Sequence, residues 1–221
     1  MNNPDLKPVF DFLSGLKEHN QKSWFEEHRA DYELARARFE RFVDQLIGVY
    51  GGIEDLGGIT AKDSVMRIYR DTRFSKDKSP YKTNMGATLA PGGKKSSRLG
   101  YHLHLQPEDQ SMIAGGLYMP SPEQLARFRK AIDQDAAPLK AILQDKEFKK
   151  YFGTLEGEKV KTVPQGYSRE HPEIELLRFK QVLVVHRLSD ETVLSPAFGK
   201  HTIKVFTAMK PFLDYLNTIL K

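Results

Sequence analysis

From Arg67 to Lys82 the chain reads Arg67-Ile68-Tyr69-Arg70-Asp71-Thr72-Arg73-Phe74-Ser75-Lys76-Asp77-Lys78-Ser79-Pro80-Tyr81-Lys82, six basic side chains against two carboxylates. Cations packed this densely repel one another unless anions intervene, so the composition itself points to anion recognition. Asp71 and Asp77 can each hold a neighbouring arginine by a charge-assisted bond that fixes the guanidinium plane. The remaining cations are then left to face a ligand. Arginine dominates the first half of the segment, which suits planar recognition of phosphate or carboxylate. Arg67, Arg70, Arg73, Lys78 and Lys82 are therefore read as anion contacts, Asp71 and Asp77 as the groups that orient them, and Tyr81 as a hydroxyl donor. His104 is added as a proton-exchanging group beside them, because imidazole titrates near neutral pH.

The same residues support two other readings. A basic loop bearing Tyr69, Phe74 and Tyr81 could stack on single-stranded nucleic acid. An Arg–Asp network could also be internal, tying a sheet to its loops. Other groups carry less. His102 and His104 lie two apart on a strand and share a face, which can seed a metal site, but the sequence places no third ligand and no metal is read. Ser75 has no identified general base, so no serine nucleophile is read. Pro91-Gly92-Gly93 followed by Lys94, Lys95 and Arg98 lacks P-loop spacing and reads as a hairpin tip with solvated charges. Trp24 and Phe25 read as core anchors, and Gly115-Gly116 as a bulge where a helix crosses a sheet.

These residues need a frame. Phe10, Leu13 and Leu16 predict a short helix that Gly15 weakens. Ser23 with Glu26 resembles a capping box, and the period from Phe25 to Val49 predicts one long amphipathic helix stopped by Gly51-Gly52. Residues 64–70, 85–90, 100–106 and 112–119 are β-compatible runs parted by turn residues, which favours an antiparallel meander. Arg67 thus lies on a strand that enters a loop near Asp71 and curls back, with Phe74 and Tyr81 pinning it to the core or offering stacking faces. Ser121-Pro122-Glu123-Gln124 opens a helix with a break near Pro138. Two more strands, over 159–163 and 182–187, flank a short helix over 173–179. Ser195-Pro196 starts a last helix that Pro211 should kink. The expected fold is α+β, a mostly antiparallel sheet packed by several helices, in one domain spanning residues 1–221.

Composition sets the outer bounds. No apolar run approaches the roughly 20 residues of a membrane helix, so no membrane partner is expected. The first residues, Met1 to Asp5, lack the basic and apolar character of a signal peptide. Cysteine is absent, which excludes disulfides, thiolate metal sites and thiol nucleophiles, and a reducing cytoplasm is the expected location. The formal charge is +5, yet residues 67–98 alone hold nine basic and two acidic groups, leaving the rest of the chain net negative. Charge concentrated in one segment favours a local site for a small anion over a surface that coats nucleic acid. No cofactor is indicated, and neither an enzymatic reaction nor an oligomeric state follows from the residues.

Arg67-x-x-Arg70-Asp71-x-Arg73-Phe74, followed by Asp77-Lys78-x-x-Tyr81-Lys82, resembles the signature of the DUF2461 proteins. The resemblance extends over nearly the whole chain, through Phe12-Leu13, Lys22-x-Trp24-Phe25, Gly115-Gly116-x-Tyr118 leading to Pro122, and Pro164-x-Gly166-Tyr167. It implies a bacterial protein of about this length, a shared site in the basic segment, and a family without an established reaction. His102 is a departure, since the resemblance implies an aromatic residue there more often.

Overall fold

The structure is a computed structural model that describes residues 5–221; the opening residues read above for a signal peptide lie, as 1–4, outside it. Among the described residues 49% are helical and 14% lie in strands, an α+β protein with a four-stranded antiparallel sheet in the order β1-β2-β3-β4. The strands are β1 (Met85–Leu89), β2 (Tyr101–Leu105), β3 (Ser111–Leu117) and β4 (Val182–Leu188). Each run of alternating residues became a strand because one face could be buried. Met85, Ala87 and Leu89 pair with Leu105, Leu103 and Tyr101, all buried. Gly86 opposite His104, and Thr88 opposite His102, form the other face, where both imidazoles are half-buried.

The described residues divide into two compact units, the first made of residues 5–97, 101–113 and 187–204, the second of residues 98–100, 114–186 and 205–221. In the first, α1 (Lys7–Glu18), α2 (Lys22–Glu27), α3 (Arg29–Tyr50) and the single turn α4 (Ala61–Ser64) precede the sheet. Phe25, Phe39, Phe42, Leu46 and Leu103 are fully buried there. In the second, α5 (Pro122–Gln134), α6 (Ala137–Gln144), α7 (Lys146–Phe152) and α8 (Ile174–Leu177) bury Phe128, Leu139, Phe148 and Leu177. Two further helices, α9 (Asp190–Leu194) and α10 (Phe198–Ile219), close the chain, and Pro211 stands inside α10.

Several expectations change in detail. The long helix is interrupted at His28, whose backbone leaves the helical region (φ −100°, ψ 24°), and the Ser23–Glu26 box is not formed; Gln21 is the N-cap and Glu26 pairs with Arg29 instead. At Ser121 the capping box does form, the Ser121 hydroxyl accepting from the Gln124 amide (3.1 Å) and the Gln124 carbonyl from the Ser121 amide (2.9 Å). Residues 64–70 are not a strand, for the segment touches the sheet only at the Val65–Ala87 bridge. Residues 159–163 likewise contribute only the Lys159–Phe179 bridge. At Gly115 the structure supplies the reason for glycine: a Cβ there would stand 2.3 Å from Met209 Sδ of α10. Lys94 is exposed, as expected of a charge at a hairpin tip, and its ammonium also donates to the carbonyls of Lys62 (2.7 Å) and Val65 (2.9 Å).

Candidate functional site

The basic segment is a loop closed at its neck. Tyr69 and Tyr81 form an isolated antiparallel bridge, flanked by hydrogen bonds from Arg70 N to Pro80 O (3.0 Å) and from Lys82 N to Ile68 O (2.8 Å). Asn20, between α1 and α2, locks the return strand from outside: its amide donates to Tyr81 O (3.0 Å) and its carbonyl accepts from Tyr81 N (3.1 Å). The Tyr81 ring stacks on Phe25 at 4.1 Å and 10°, with 3% of the residue exposed. Tyr81 therefore pins the loop, as the sequence suggested. Phe74 does not; it is 95% exposed at the tip with the Arg73 guanidinium 5.8 Å from its ring.

Both carboxylates hold an arginine. Asp71 takes Arg73 in a bidentate pair (3.0 and 2.7 Å). Asp77 takes Arg70, and also accepts from the Ser79 hydroxyl (2.6 Å) and amide (2.9 Å). These donors, the Ser79 groups first and Arg70 after them, hold the Asp77 carboxyl well below the usual carboxylate range. Lys78 is spent on the Thr72 carbonyl (2.9 Å). Arg67 and Lys82 have no ion pair or side-chain hydrogen bond among the described residues.

A cleft of about 320 Å³ opens beside the neck, lined by Lys17, Asn20, Arg70, Asp77, Lys82 and Asn84 together with Ser79, Tyr81 and Thr83. Of the residues singled out in the sequence, Arg70, Asp77, Tyr81 and Lys82 meet there, while Asp71, Arg73 and Lys78 stay in the loop beyond it. The neighbours of the Tyr81 phenol are Tyr69, Glu26 and Arg29 rather than the cations of the cleft. Lys17, which pairs with Glu108 (2.6 Å), and Asn20 were not found by sequence reasoning; they lie some sixty residues from the loop and no local pattern marks them.

The sheet brings the histidines to the same locality. Burial lowers the Lys82 ammonium, with Arg67 adding repulsion. Burial, then the charges of His104 and Lys82, push His102 down to about 4. His104 is lowered chiefly by burial, and its Nε2–H donates to Gln106 Oε1 (2.9 Å), so its Nδ1 is the free acceptor. His102 Nδ1 lies 3.2 Å from Thr88 Oγ1. His102 thus shares a face with His104 near Lys82, as their spacing on a strand predicts, although the resemblance implies an aromatic residue there more often. His186 sets its Nδ1 against Tyr151 O (2.9 Å), and no group of three or more His, Cys, Asp or Glu among the described residues could hold a metal ion.

The lowered His102 has a consequence for stability. From about pH 6.5 down to about 4 the unfolded chain binds a proton there that the folded chain does not, so stability falls as pH drops through that window. His102→Gln is expected to flatten this decline in urea midpoints measured across the window; an unchanged slope would place the proton uptake elsewhere.

Comparison with known families gives one match: the model described as "Conserved hypothetical protein (DUF2461)" covers residues 8–215. Comparison with curated proteins and with solved structures gives no match. No helix among the described residues is long and apolar enough to cross a membrane.

Proposed function

The chain belongs to the DUF2461 family, and within that family we propose that it binds a small phosphorylated or otherwise anionic ligand in the cleft at the loop neck. One observation carries this reading: the cleft is lined by three cations, Lys17, Arg70 and Lys82, against the single carboxylate of Asp77, and Lys82 has no partner among the described residues. An unpaired, partly desolvated ammonium is costly unless an anion meets it. Asn20, Ser79, Thr83 and Asn84 supply neutral polar groups around the cations, and about 320 Å³ suits a small phosphate ester. Arg67 stands close enough to Lys82 to repel it and would add to the field. Arg73, Lys78 and Asp71 act in this reading by shaping the loop. His104, lowered by burial and near enough to Lys82 to feel its charge, would be the group to exchange a proton if the site catalyses a reaction, with cationic stabilisation of developing charge as the main term.

Single-stranded nucleic acid is the second reading, and Phe74 favours it, since an exposed aromatic beside Arg73 is a ready stacking surface. Burial of Tyr81 and capture of Lys94 by carbonyls count against it.

Thermal shift with phosphate, pyrophosphate, nucleotides and an oligocytidine, against chloride at equal ionic strength, separates these readings. Ligand at about 100 times its Kd adds about 2.7 kcal/mol, a rise in Tm of roughly 5–10 °C for a chain of this size. The expected result is such a rise with a small phosphorylated compound, lost in Lys82→Ala. A rise with the oligonucleotide alone, steeply salt-dependent, favours nucleic acid. No rise with any of them ends the anion reading.

A further inference from the structure

A second cleft, of about 330 Å³, lies in the first compact unit between α1 and the start of α3. Its walls are aromatic. The Trp24 and His28 rings stack at 4.0 Å and 12°, and Phe12 lies 5.9 Å from the indole. Gly15 makes room for this, because a Cβ there would stand 2.8 Å from Trp24 Cζ2. The glycine that reads as a weak point of α1 is thus the contact surface for the indole, and α1 runs through it from Lys7 to Glu18.

The polar groups of the cleft share one character. His28 Nδ1–H donates to Trp24 O (2.9 Å), so the Nε2 of the neutral ring is an acceptor. The formally charged side chains lining the cleft, Asp11 and Asp31, are both carboxylates. Asp11 shares an exposed pair with Lys7 (2.6 Å), a class of contact that holds weakly. Asp31 has no ion pair or side-chain hydrogen bond among the described residues. Leu34, 47% exposed, extends the apolar wall.

An electron-rich ring face, a free imidazole lone pair and two carboxylates around an apolar floor complement a cation that has apolar substituents. A bare divalent ion would seek a cage of oxygen ligands that this cleft does not offer. An anion would be repelled by Asp11 and Asp31. We infer that this cleft binds an organic cation, a guanidinium or alkylammonium group, against the Trp24–His28 ring pair with Asp31 as its counter-ion. Attraction of a cation to an aromatic ring strengthens where water is partly excluded, and Phe12 and Leu34 give the cleft apolar walls. The inference stands apart from the anion reading, since the two clefts have no lining residue in common.

Trp24 is the single tryptophan of the chain, so all tryptophan emission comes from a residue lining this cleft. Tetramethylammonium, methylguanidinium and an acetylated tri-arginine amide are each titrated against sodium chloride at equal ionic strength. The expected result is a saturable change in Trp24 emission that sodium does not produce, with the midpoint raised about tenfold in Asp31→Asn. Leu34→Lys, at an exposed position, places a competing ammonium at the rim and is expected to weaken the response without altering Asp31 or Trp24. A midpoint about tenfold lower for the peptide than for methylguanidinium identifies a polypeptide side chain as the source; equal midpoints identify a small amine. A response that matches sodium chloride for every cation overturns the inference, as does a midpoint unchanged in both variants.

Discussion

Arg70→Ala is expected to weaken binding of a small phosphate compound by about 100-fold while changing unfolding free energy by no more than about 1 kcal/mol. The two numbers come from different surroundings of the same side chain. Toward the ligand, a hydrogen bond to a charged group is worth about 1.5–3 kcal/mol, or roughly 10- to 150-fold in affinity. Its loss also leaves Asp77 facing the anion without a counter-charge. Toward the fold, the Arg70–Asp77 pair is open to water, the two side chains being 26% and 59% exposed, and pairs of that kind contribute little. Asp77 keeps its Ser79 donors in the variant, so the loop retains its turn. Titration calorimetry with pyrophosphate and urea unfolding measure the two quantities. A large fall in stability with unchanged pyrophosphate affinity would return the Arg–Asp cluster to a structural role. Asp77→Asn, which removes the one lining carboxylate, is expected to leave affinity unchanged or raise it.

Tyr81→Ala has the opposite signature. Truncating a buried aromatic to alanine costs about 3–5 kcal/mol, which for a chain of this length lowers Tm by roughly 6–20 °C. Tyr81 is 3% exposed, stacked face to face on Phe25, and its backbone is held on both sides by Asn20 and by the bridge to Tyr69. Its removal opens a cavity under the neck of the loop. Tyr81→Phe keeps the stack and is expected to cost less than about 1 kcal/mol, so the pair of variants separates ring from hydroxyl. Calorimetric Tm values for both measure it; an alanine variant as stable as the phenylalanine one would mean that the neck is held by its backbone alone.

The sequence conveyed what is local. Strands at 85–89, 101–105, 111–117 and 182–188 were legible because alternation and turn residues are both short-range signals. Ser121 and Gln124 announced their helix for the same reason. The break at His28 was not legible, because α2 and α3 continue one apolar stripe through it and only the backbone angles of a single residue differ. Residues 64–70 had strand composition but form only two isolated bridges, Val65 with Ala87 and Tyr69 with Tyr81, rather than a continuous ladder. In the basic segment, the pairing of each aspartate with an arginine and the return of the chain near Tyr81 followed from adjacency. Lys17, Asn20 and Asn84 did not, since long-range packing alone brings Lys17 and Asn20 to the loop. The shared face of His102 and His104 was legible from their spacing, and the register opposite Thr88 and Gly86 realises it.

The closed neck also separates two kinds of variation. Tyr69 and Tyr81 meet whatever lies between them, so the span from Thr72 to Lys76, on the far side of Arg70 and Asp77, is a handle hung on a fixed clasp. The entropy of closing such a loop rises only slowly, about 0.6 kcal/mol for each doubling of its length. The handle can therefore be lengthened at its exposed tip, beside Phe74, while the clasp keeps its form. Novel attachments to this chain, natural or engineered, have a ready point of insertion there.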